Sequence, residues 1–282
     1  MLVNGEMREM QLSKHHGAGN DFLVVTDPDG RAEIGADLAR ALCDRRFGVG
    51  ADGVLHLLPG RGGCDVAMEL FNADGSRAEM SGNGIRCLAQ AAVDAGMVTP
   101  PSFTVATDAG PRRVEYRAGG QDGGARVSVD MGAPSLGPDQ PQHFADRRAR
   151  TVDMGNPHLV LLGPDPASVD VVEVGRGLQG AFAAGINVEF VAVVPGSDEI
   201  TLRVYERGVG ETLACGTGSC AAAAAAHAWG LVGRRVTVVN PGGPLEVTLD
   251  DHAWLEGPAW RVADLSVDTA VLLAATRPVV RR

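Results

Sequence analysis

The sequence predicts a mixed α/β (α+β) fold built from two homologous domains. Three observations predict it: the length of the chain, an internal repeat, and many short strands with one prominent helix in each half. The chain has 282 residues, which suits two domains of ordinary size. Hydrophobic residues make up 45% of it and charged residues 21%, a composition typical of a globular protein.

The repeat is clearest around two Gly-x-Gly motifs. SGNG (81–84) and CGTG (215–218) lie 134 residues apart, and each precedes an apolar run that ends on a glycine. Further segments match near the same offset: 19–24 with 155–160, 52–55 with 187–190, and 103–111 with 236–244. Because four matches follow one another in order, we predict two homologous domains. Their expected limits are 1–122, with 264–282 returning to it, and 123–263.

Each half is predicted to contain mostly strands. They are expected over 22–26, 54–58, 103–106 and 127–130, and then over 159–162, 188–194, 201–206, 236–239 and 245–249. The prominent helices are expected over 83–95 and 217–229, since each follows a Gly-x-Gly motif and ends on a glycine. A further helix is predicted over 35–43, and a C-terminal strand over 271–280.

Composition argues against several classes of function. The net charge is −10 with no basic run, so the chain lacks the electrostatic footprint of a nucleic-acid-binding protein. No apolar stretch is long enough for a transmembrane helix, so no membrane partner is expected, and the N-terminus lacks the apolar core of a signal peptide. Lys14 is the only lysine, which disfavours pyridoxal chemistry because that cofactor needs a lysine for its Schiff base.

The five cysteines indicate reduced thiols and a cytoplasmic location. Their number is odd, no CxxC motif occurs, and no cluster has the spacing of a structural zinc site, so no metal is expected. Cys215 and Cys220 lie five residues apart, which leaves a redox role open for the pair. The other interpretation is that one of them is buried while the other either does chemistry or has no chemical role.

The two Gly-x-Gly motifs predict that the chain binds a carboxylate. Glycines let backbone N–H groups turn toward an anion, and the helix dipole adds positive charge at the same place. The same environment is expected to lower the pKa of the Cys215 thiol, so that it carries thiolate near neutral pH. Two such elements flanking one α-carbon would supply the two bases that inversion by proton transfer requires.

Six motifs, in this order, resemble the diaminopimelate epimerase family: KHHGAGNDF, FGVGADGVL, FNADGSRAEMSGNGIRCLA, VDMGNPHLV, GINVEFV and YERGVGETLACGTGSCAAA, within residues 14–226. The resemblance implies two similar domains, each a β-sheet or barrel wrapped around a central helix, with the active site in the cleft between them. It implies an isomerase that uses no cofactor and converts LL-diaminopimelate to meso-diaminopimelate, a precursor of lysine and peptidoglycan. A homodimer is implied as well.

The resemblance also implies roles for individual residues. Cys215 matches a catalytic cysteine, and His158 and Glu206 match residues that tune the bases. Arg207 is expected to pair with the distal carboxylate of the substrate, because a planar guanidinium can bind a carboxylate through two hydrogen bonds. The remaining substrate-binding positions, together with Glu206, are Asn20, Asn72, Gly82, Asn83, Asn156, Asn187, Gly216 and Thr217.

Ser81 stands where the family has its other catalytic cysteine. A serine hydroxyl is a much weaker acid than a thiol, and it is a poor base without an activating partner. Three interpretations stay open: Ser81 transfers the proton as a natural variant, it is an engineered substitution that stops turnover, or the chain no longer epimerises. The alternative functions are therefore a related amino-acid racemase, such as a proline or histidine racemase, and a non-catalytic amino-acid-binding protein.

Overall fold

The computed structural model describes residues 2–3, 6–7, 9–119, 124–140 and 147–275. The chain forms two compact units. Unit 1 is made from Met1–Gly17, Asp21–Val127 and Ala259–Arg282, and unit 2 from Ala18–Asn20 and Ser128–Pro258. Among the described residues, no helix is both long and apolar enough to cross a membrane.

The elements of the N-terminal half begin with a short hairpin. The strands are β1 (Leu2–Val3), β2 (Glu6–Met7), β3 (Met10–Gly17), β4 (Asn20–Thr26), β5 (Gly53–Pro59), β6 (Val66–Asn72), β7 (Arg77–Ala78), β8 (Ser102–Thr107), β9 (Gly110–Ala118) and β10 (Gly124–Asp130). The helices are α1 (Ala36–Cys43) and α2 (Gly82–Asp94).

The C-terminal half has a similar set of elements. Its strands are β11 (Ser135–Gln140), β12 (Arg148–Asp153), β13 (Pro157–Leu162), β14 (Asn187–Val193), β15 (Glu199–Glu206), β16 (Gly210–Thr212), β17 (Arg235–Asn240), β18 (Gly243–Leu249) and β19 (Ala253–Val267). Its helices are α3 (Val171–Gln179), α4 (Gly216–Ala228) and α5 (Thr269–Ala275), with a 3₁₀ turn at Pro166–Ser168.

The strand pairing repeats from one unit to the other. In unit 1 the order is β19-β3-β4-β5-β6-β8-β9-β10, with β7 also paired to β6. In unit 2 it is β10-β11-β12-β13-β14-β15-β17-β18-β19, with β16 also paired to β15. β4 pairs with β5 and β6 with β8 in parallel, just as β13 pairs with β14 and β15 with β17. The predicted duplication is confirmed at the level of topology.

Helix α4 is the centre of unit 2. It contacts β12, β13, β14, β15, β17 and β18, and residues 216–226 are all buried. A helix that is apolar on every face is stable only when it is enclosed, and α4 contains six consecutive alanines, 221–226. Because alanine is small, strands can approach this helix closely on all sides. Unit 2 is therefore a β-barrel wrapped around a helix, as the family resemblance implies.

Helix α2 occupies the equivalent place in unit 1, where it contacts β3, β5, β6 and β9. Its interior is more polar than that of α4. The fully buried guanidinium of Arg86 donates to the carbonyl of Gly82 at 2.9 Å and to Oδ1 of Asn83 at 2.8 Å. These bonds hold the charged side chain against the first turn of its own helix and satisfy two of its buried N–H donors.

Two outer helices complete the units. Leu38 and Leu42 of α1 pack into a cluster with Leu23 and Val54 in unit 1, and Val171 of α3 packs into a corresponding cluster in unit 2. The helix predicted over 35–43 is confirmed by α1, but α3 was not predicted. Since α3 begins 135 residues after α1, close to the offset of the repeat, it is the second copy of the same element.

The remaining predictions of secondary structure have one clear error. All of the predicted strands before residue 250 are present, and α2 and α4 each begin one residue before the predicted start. The prediction of a C-terminal strand is wrong over residues 271–275, which belong to α5, whereas 276–280 lie outside the described residues. The reason is local: Asp268 accepts hydrogen bonds from the backbone N–H groups of Ala270 and Val271 and so caps a helix.

Candidate active site

Cys215 is the N-cap residue of α4. Its backbone is extended, with φ −120° and ψ 118°, and its Sγ accepts a hydrogen bond from the backbone N–H of Gly218 at 3.3 Å. The thiol also lies 3.5 Å from Oγ1 of Thr217. Because the first N–H groups of a helix have no intrahelical acceptor, those of Gly216 and Thr217 can bind an anion here. The start of α4 thus presents N–H donors next to a thiol.

The prediction that this position lowers the pKa of Cys215 is wrong. Burial raises the pKa of the thiol well above its usual range, and the negative charges of Glu206 and Glu189 raise it further. Hydrogen bonds from Thr217 and Gly218 act in the opposite direction but do not compensate. The residue is only 5% exposed, so the loss of hydration outweighs the helix terminus. This shift favours the protonated form of the Cys215 thiol.

Glu206 lies at the end of β15 and is partly buried. Its carboxylate is hydrogen-bonded to the hydroxyl of Thr212 and to Cys215. Since an ionised carboxylate only accepts hydrogen bonds, the Cys215 S–H donates to it. Burial also raises the pKa of Glu206. Burial therefore raises the pKa values of both groups, while the hydrogen bond from Cys215 favours the ionised form of Glu206.

His158 connects the thiol to the neighbouring strand. It lies on β13 and is fully buried, with its Nε2 2.9 Å from Oδ1 of Asn156. Asn156 in turn donates from Nδ2 to Oγ1 of Thr217 at 3.4 Å. Through Thr217 this chain of hydrogen bonds reaches Cys215. With Glu206, the structure thus brings five of the predicted site residues into one network.

Glu189 belongs to the same network, although the sequence analysis did not select it. It lies on β14 with no exposed surface, and its Oε1 accepts a hydrogen bond from Nδ1 of His158 at 2.6 Å. Its Oε2 has no hydrogen-bond partner among the described residues. The available signal was a single charged residue within the apolar strand NVEFVAV.

Asn187 and Arg207 form a second part of the site. Asn187 is buried and donates from Nδ2 to the carbonyl of Pro157 at 3.0 Å, while its Oδ1 accepts from the backbone N–H of Arg207 at 2.9 Å. The Arg207 side chain is exposed and donates to the carbonyl of Ala184 at 3.2 Å. Because a guanidinium has five N–H donors, Arg207 keeps capacity to bind a carboxylate.

Three of the predicted residues of unit 1 form the start of α2. Ser81 is its N-cap, with φ −141° and ψ 121°, and Oγ accepts from the N–H of Gly84 at 3.0 Å. Gly82 and Asn83 are the first helical residues, and Asn72 donates from Nδ2 to Oγ of Ser76 at 3.0 Å. Ser81 therefore caps its helix as Cys215 caps α4. Asn20, which begins β4, belongs to unit 2.

Two solved structures share this fold. A hydroxyproline epimerase from Agrobacterium vitis matches with a TM-score of 0.69 and 21% identity, covering 95% of this chain and 99% of that one. A Bacillus anthracis phenazine biosynthesis protein of the PhzF family matches with a TM-score of 0.71 and 15% identity, covering 93% and 99%. The hydroxyproline epimerase therefore has the same duplicated fold as this chain.

Sequence similarity identifies one family among the proteins that have this fold. Residues 12–137 and 150–260 match the diaminopimelate epimerase family. A diaminopimelate epimerase from Synechocystis sp. is 41% identical over 276 residues, which cover 90% of this chain and 97% of that protein. One from Synechococcus elongatus is 39% identical, covering 93% and 99%. The chain belongs to the diaminopimelate epimerase family and is an isomerase.

Proposed function

We propose that this chain converts LL-diaminopimelate to meso-diaminopimelate without a cofactor, and that Cys215 transfers a proton at the α-carbon. The observation that carries the proposal is the buried thiol at the start of α4, hydrogen-bonded to Glu206. The relatives named diaminopimelate epimerase, which match nearly the whole chain, support this substrate.

The chemistry follows from the position of the thiol. The substrate carboxylate accepts hydrogen bonds from the N–H groups of Gly216 and Thr217, and the positive end of α4 stabilises the negative charge that develops when the α-proton leaves. Cys215 then donates its proton to the carbanion and becomes a thiolate. Burial and the charge of Glu206 destabilise that thiolate. In the reverse direction it readily takes the α-proton back.

Inversion also needs a base for the leaving α-proton, and we assign this role to Ser81. Its hydroxyl first releases its proton to solvent, and the resulting alkoxide takes the α-proton and becomes a hydroxyl again, while the Cys215 thiolate regains a proton from solvent. It stands at the family's second cysteine position, and it caps α2 as Cys215 caps α4. A hydroxyl gives up its proton far less readily than a thiol, so turnover is expected to be slow. His158 and Glu206 keep their proposed role of tuning the two bases. The polar residues Asn20, Asn72, Asn83, Asn156, Asn187 and Arg207 are proposed to orient the substrate.

Proton exchange with solvent tests the proposal. The protein is incubated with LL-diaminopimelate in heavy water, and the stereoisomers and their α-deuterium are followed by NMR and mass spectrometry. We expect meso-diaminopimelate that carries deuterium at the inverted carbon. The proposal would be overturned if the incubation gave no α-deuterium and no meso-diaminopimelate. If calorimetry then showed tight binding of the amino acid, the chain would be a non-catalytic binding protein.

The proposal extends to the cellular setting. The reaction supplies a precursor of lysine and peptidoglycan, and we place the enzyme in the cytoplasm as a homodimer. All five cysteines are free thiols, as a reducing compartment requires. Light scattering tests the assembly, since a homodimer has twice the chain mass of 29.2 kDa.

A further inference from the structure

The two units allow equivalent positions around their central helices to be compared, because β13–β14 and β4–β5 pair in parallel with the same register. On these strands unit 2 carries His158 and Glu189. The equivalent positions in unit 1 carry Phe22 and Leu55, which are both buried. The duplicated fold therefore has an apolar pair in one copy and an ionisable pair in the other.

The glycines in the first turn of the helices confirm the equivalence. A Cβ added to Gly218 would lie 2.9 Å from Oε1 of Glu189, and one added to Gly84 would lie 3.2 Å from Cδ2 of Leu55. Each side chain thus packs against the first turn of its own central helix, beside the N-cap residue. Leu55 shows that an apolar side chain can fill this place in the fold.

A buried carboxylate at this place therefore needs a reason other than packing. Ionisable groups that are buried lose their hydration, and replacing a buried ion pair with apolar residues is often neutral or stabilising. Glu189 makes one short hydrogen bond, to His158, while Oε2 has no partner among the described residues. Such an arrangement is poorly optimised for stability, which favours a role in the chemistry.

The hydrogen bonds of this pair lead to the thiol. Glu189 accepts from Nδ1 of His158, whose Nε2 lies 2.9 Å from Oδ1 of Asn156. Asn156 donates to Thr217 at 3.4 Å, and Thr217 Oγ1 lies 3.5 Å from Sγ of Cys215. Both ring nitrogens thus face oxygen acceptors, which fixes the orientation of the imidazole.

We propose that Glu189 is a positioning residue for proton transfer at Cys215: it holds the His158 ring through Nδ1, and the ring holds the hydrogen-bonded chain that ends at the thiol. This inference rests on the proposed function of Cys215. The ionisable groups of the network come from four elements: Glu189 from β14, His158 from β13, Glu206 from β15 and Cys215 from the start of α4. The charge of Glu189 also raises the pKa of the thiol, which keeps it protonated.

The first test is Glu189→Gln, which keeps the shape of the side chain and removes its charge. We expect kcat to fall about tenfold with KM changed less than twofold, because the loss concerns alignment of the proton donor. The second readout is alkylation of Cys215 by iodoacetamide between pH 6 and 10, measured by peptide mass spectrometry. We expect its pH midpoint to move down, with alkylation at a fixed pH at least about threefold faster.

Glu246→Gln is the matched control, since it removes a carboxylate of the same unit that is bonded to Thr237 outside this network. It should leave both readouts unchanged. Wild-type values of kcat and of the alkylation midpoint in Glu189→Gln would overturn the inference. If wild-type protein does not epimerise diaminopimelate, the proposed function fails, while the alkylation midpoint still decides whether Glu189 acts on the thiol.

The double variant His158→Phe/Glu189→Leu installs the apolar pair of unit 1 in unit 2. We expect it to fold with a thermal midpoint no lower than that of the wild type, to lose turnover, and to show a shifted alkylation midpoint. A large drop in thermal midpoint together with wild-type behaviour of Glu189→Gln would mean that the pair serves stability, and would overturn the inference.

Discussion

Nδ1 of His158 lies 2.6 Å from Oε1 of Glu189, and neither side chain is exposed. This pair marks the chemical difference between the two copies of the fold. Both copies keep the helix cap and the glycine-rich first turn that suit a carboxylate. One copy surrounds its cap residue, Cys215, with ionisable groups, whereas the other packs Leu55 beside Ser81. The two cap residues therefore differ in the ionisable groups that lie close enough to assist proton transfer.

Replacing the thiol tests its role directly. Cys215→Ala should lower the rate of epimerisation by about a thousandfold or more, because a positioned acid contributes about 10² to 10⁴ to such rates. The rate is measured as deuterium entering the α-carbon. Cys220→Ala is the control: Cys220 is fully buried on the same helix, and its loss should change the rate less than twofold. Equal rates in the Cys215 variant and the wild type would contradict the mechanism.

Installing a thiol at position 81 should increase activity. We expect Ser81→Cys to raise kcat by about a hundredfold, because a thiolate forms at far lower pH than an alkoxide. The side chain fits, since Cys215 caps α4 with a similar backbone. Sulfur is the weaker cap, so unfolding by urea should show a loss of at most about 1 kcal/mol. An unchanged kcat would argue against proton transfer at this position.

Arg207 should decide between a dicarboxylic and a monocarboxylic substrate. We expect Arg207→Gln to raise KM for LL-diaminopimelate about tenfold, since a charge-assisted bond to the distal carboxylate is lost. Arg234→Gln is the control, because Arg234 is exposed and pairs with Asp250. If wild-type protein turned over proline or histidine instead, and Arg207→Gln did not weaken binding, the related racemase would be the better description.

Asp21, which pairs with Arg45 and with Lys14, gives rise to a pH dependence of stability. Burial of Asp21 opposes its ionisation, but hydrogen bonds from Arg45 and Lys14 hold its pKa at about 2. Because the pKa of Asp21 is lower in the folded protein than its value near 4 in the unfolded chain, the ionised side chain stabilises the fold at pH values above about 4. This stabilisation is lost as the pH falls from 4 toward 2. The contribution is roughly 2 kcal/mol. Urea unfolding at pH 5 and 3 should show a smaller loss for Asp21→Asn than for the wild type or for Asp29→Asn, whose side chain is exposed.

Local sequence signals predicted the central helices well, because a Gly-x-Gly motif, an apolar run and a closing glycine mark the start, the length and the end of a helix. Elements with mixed polarity were harder to predict. The first half of β19 alternates buried and partly buried residues, but Gly257 and Pro258 interrupt its pattern. α3 has few buried residues, and only the repeat offset from α1 indicates it.

Residue type and local spacing were enough to predict several residues that the structure brings into one hydrogen-bonded network. Cys215, Asn156, His158 and Glu206 do lie in one network, through Thr217 and direct contact with the thiol. The pKa of the thiol was not predictable from α4. It depends on burial and on carboxylates carried by β14 and β15, strands that are separated from the helix in sequence.

The sequence by itself determined the duplication, the two helix caps and the family, because these depend on residue identity and spacing along the chain. Only the tertiary structure decided that the pKa of Cys215 is raised and that Glu189 belongs to its network. The physical reason is that hydration and charge act through space. Enclosing α4 in a barrel removes water from the thiol and brings the side chains of Glu189 and Glu206 to it.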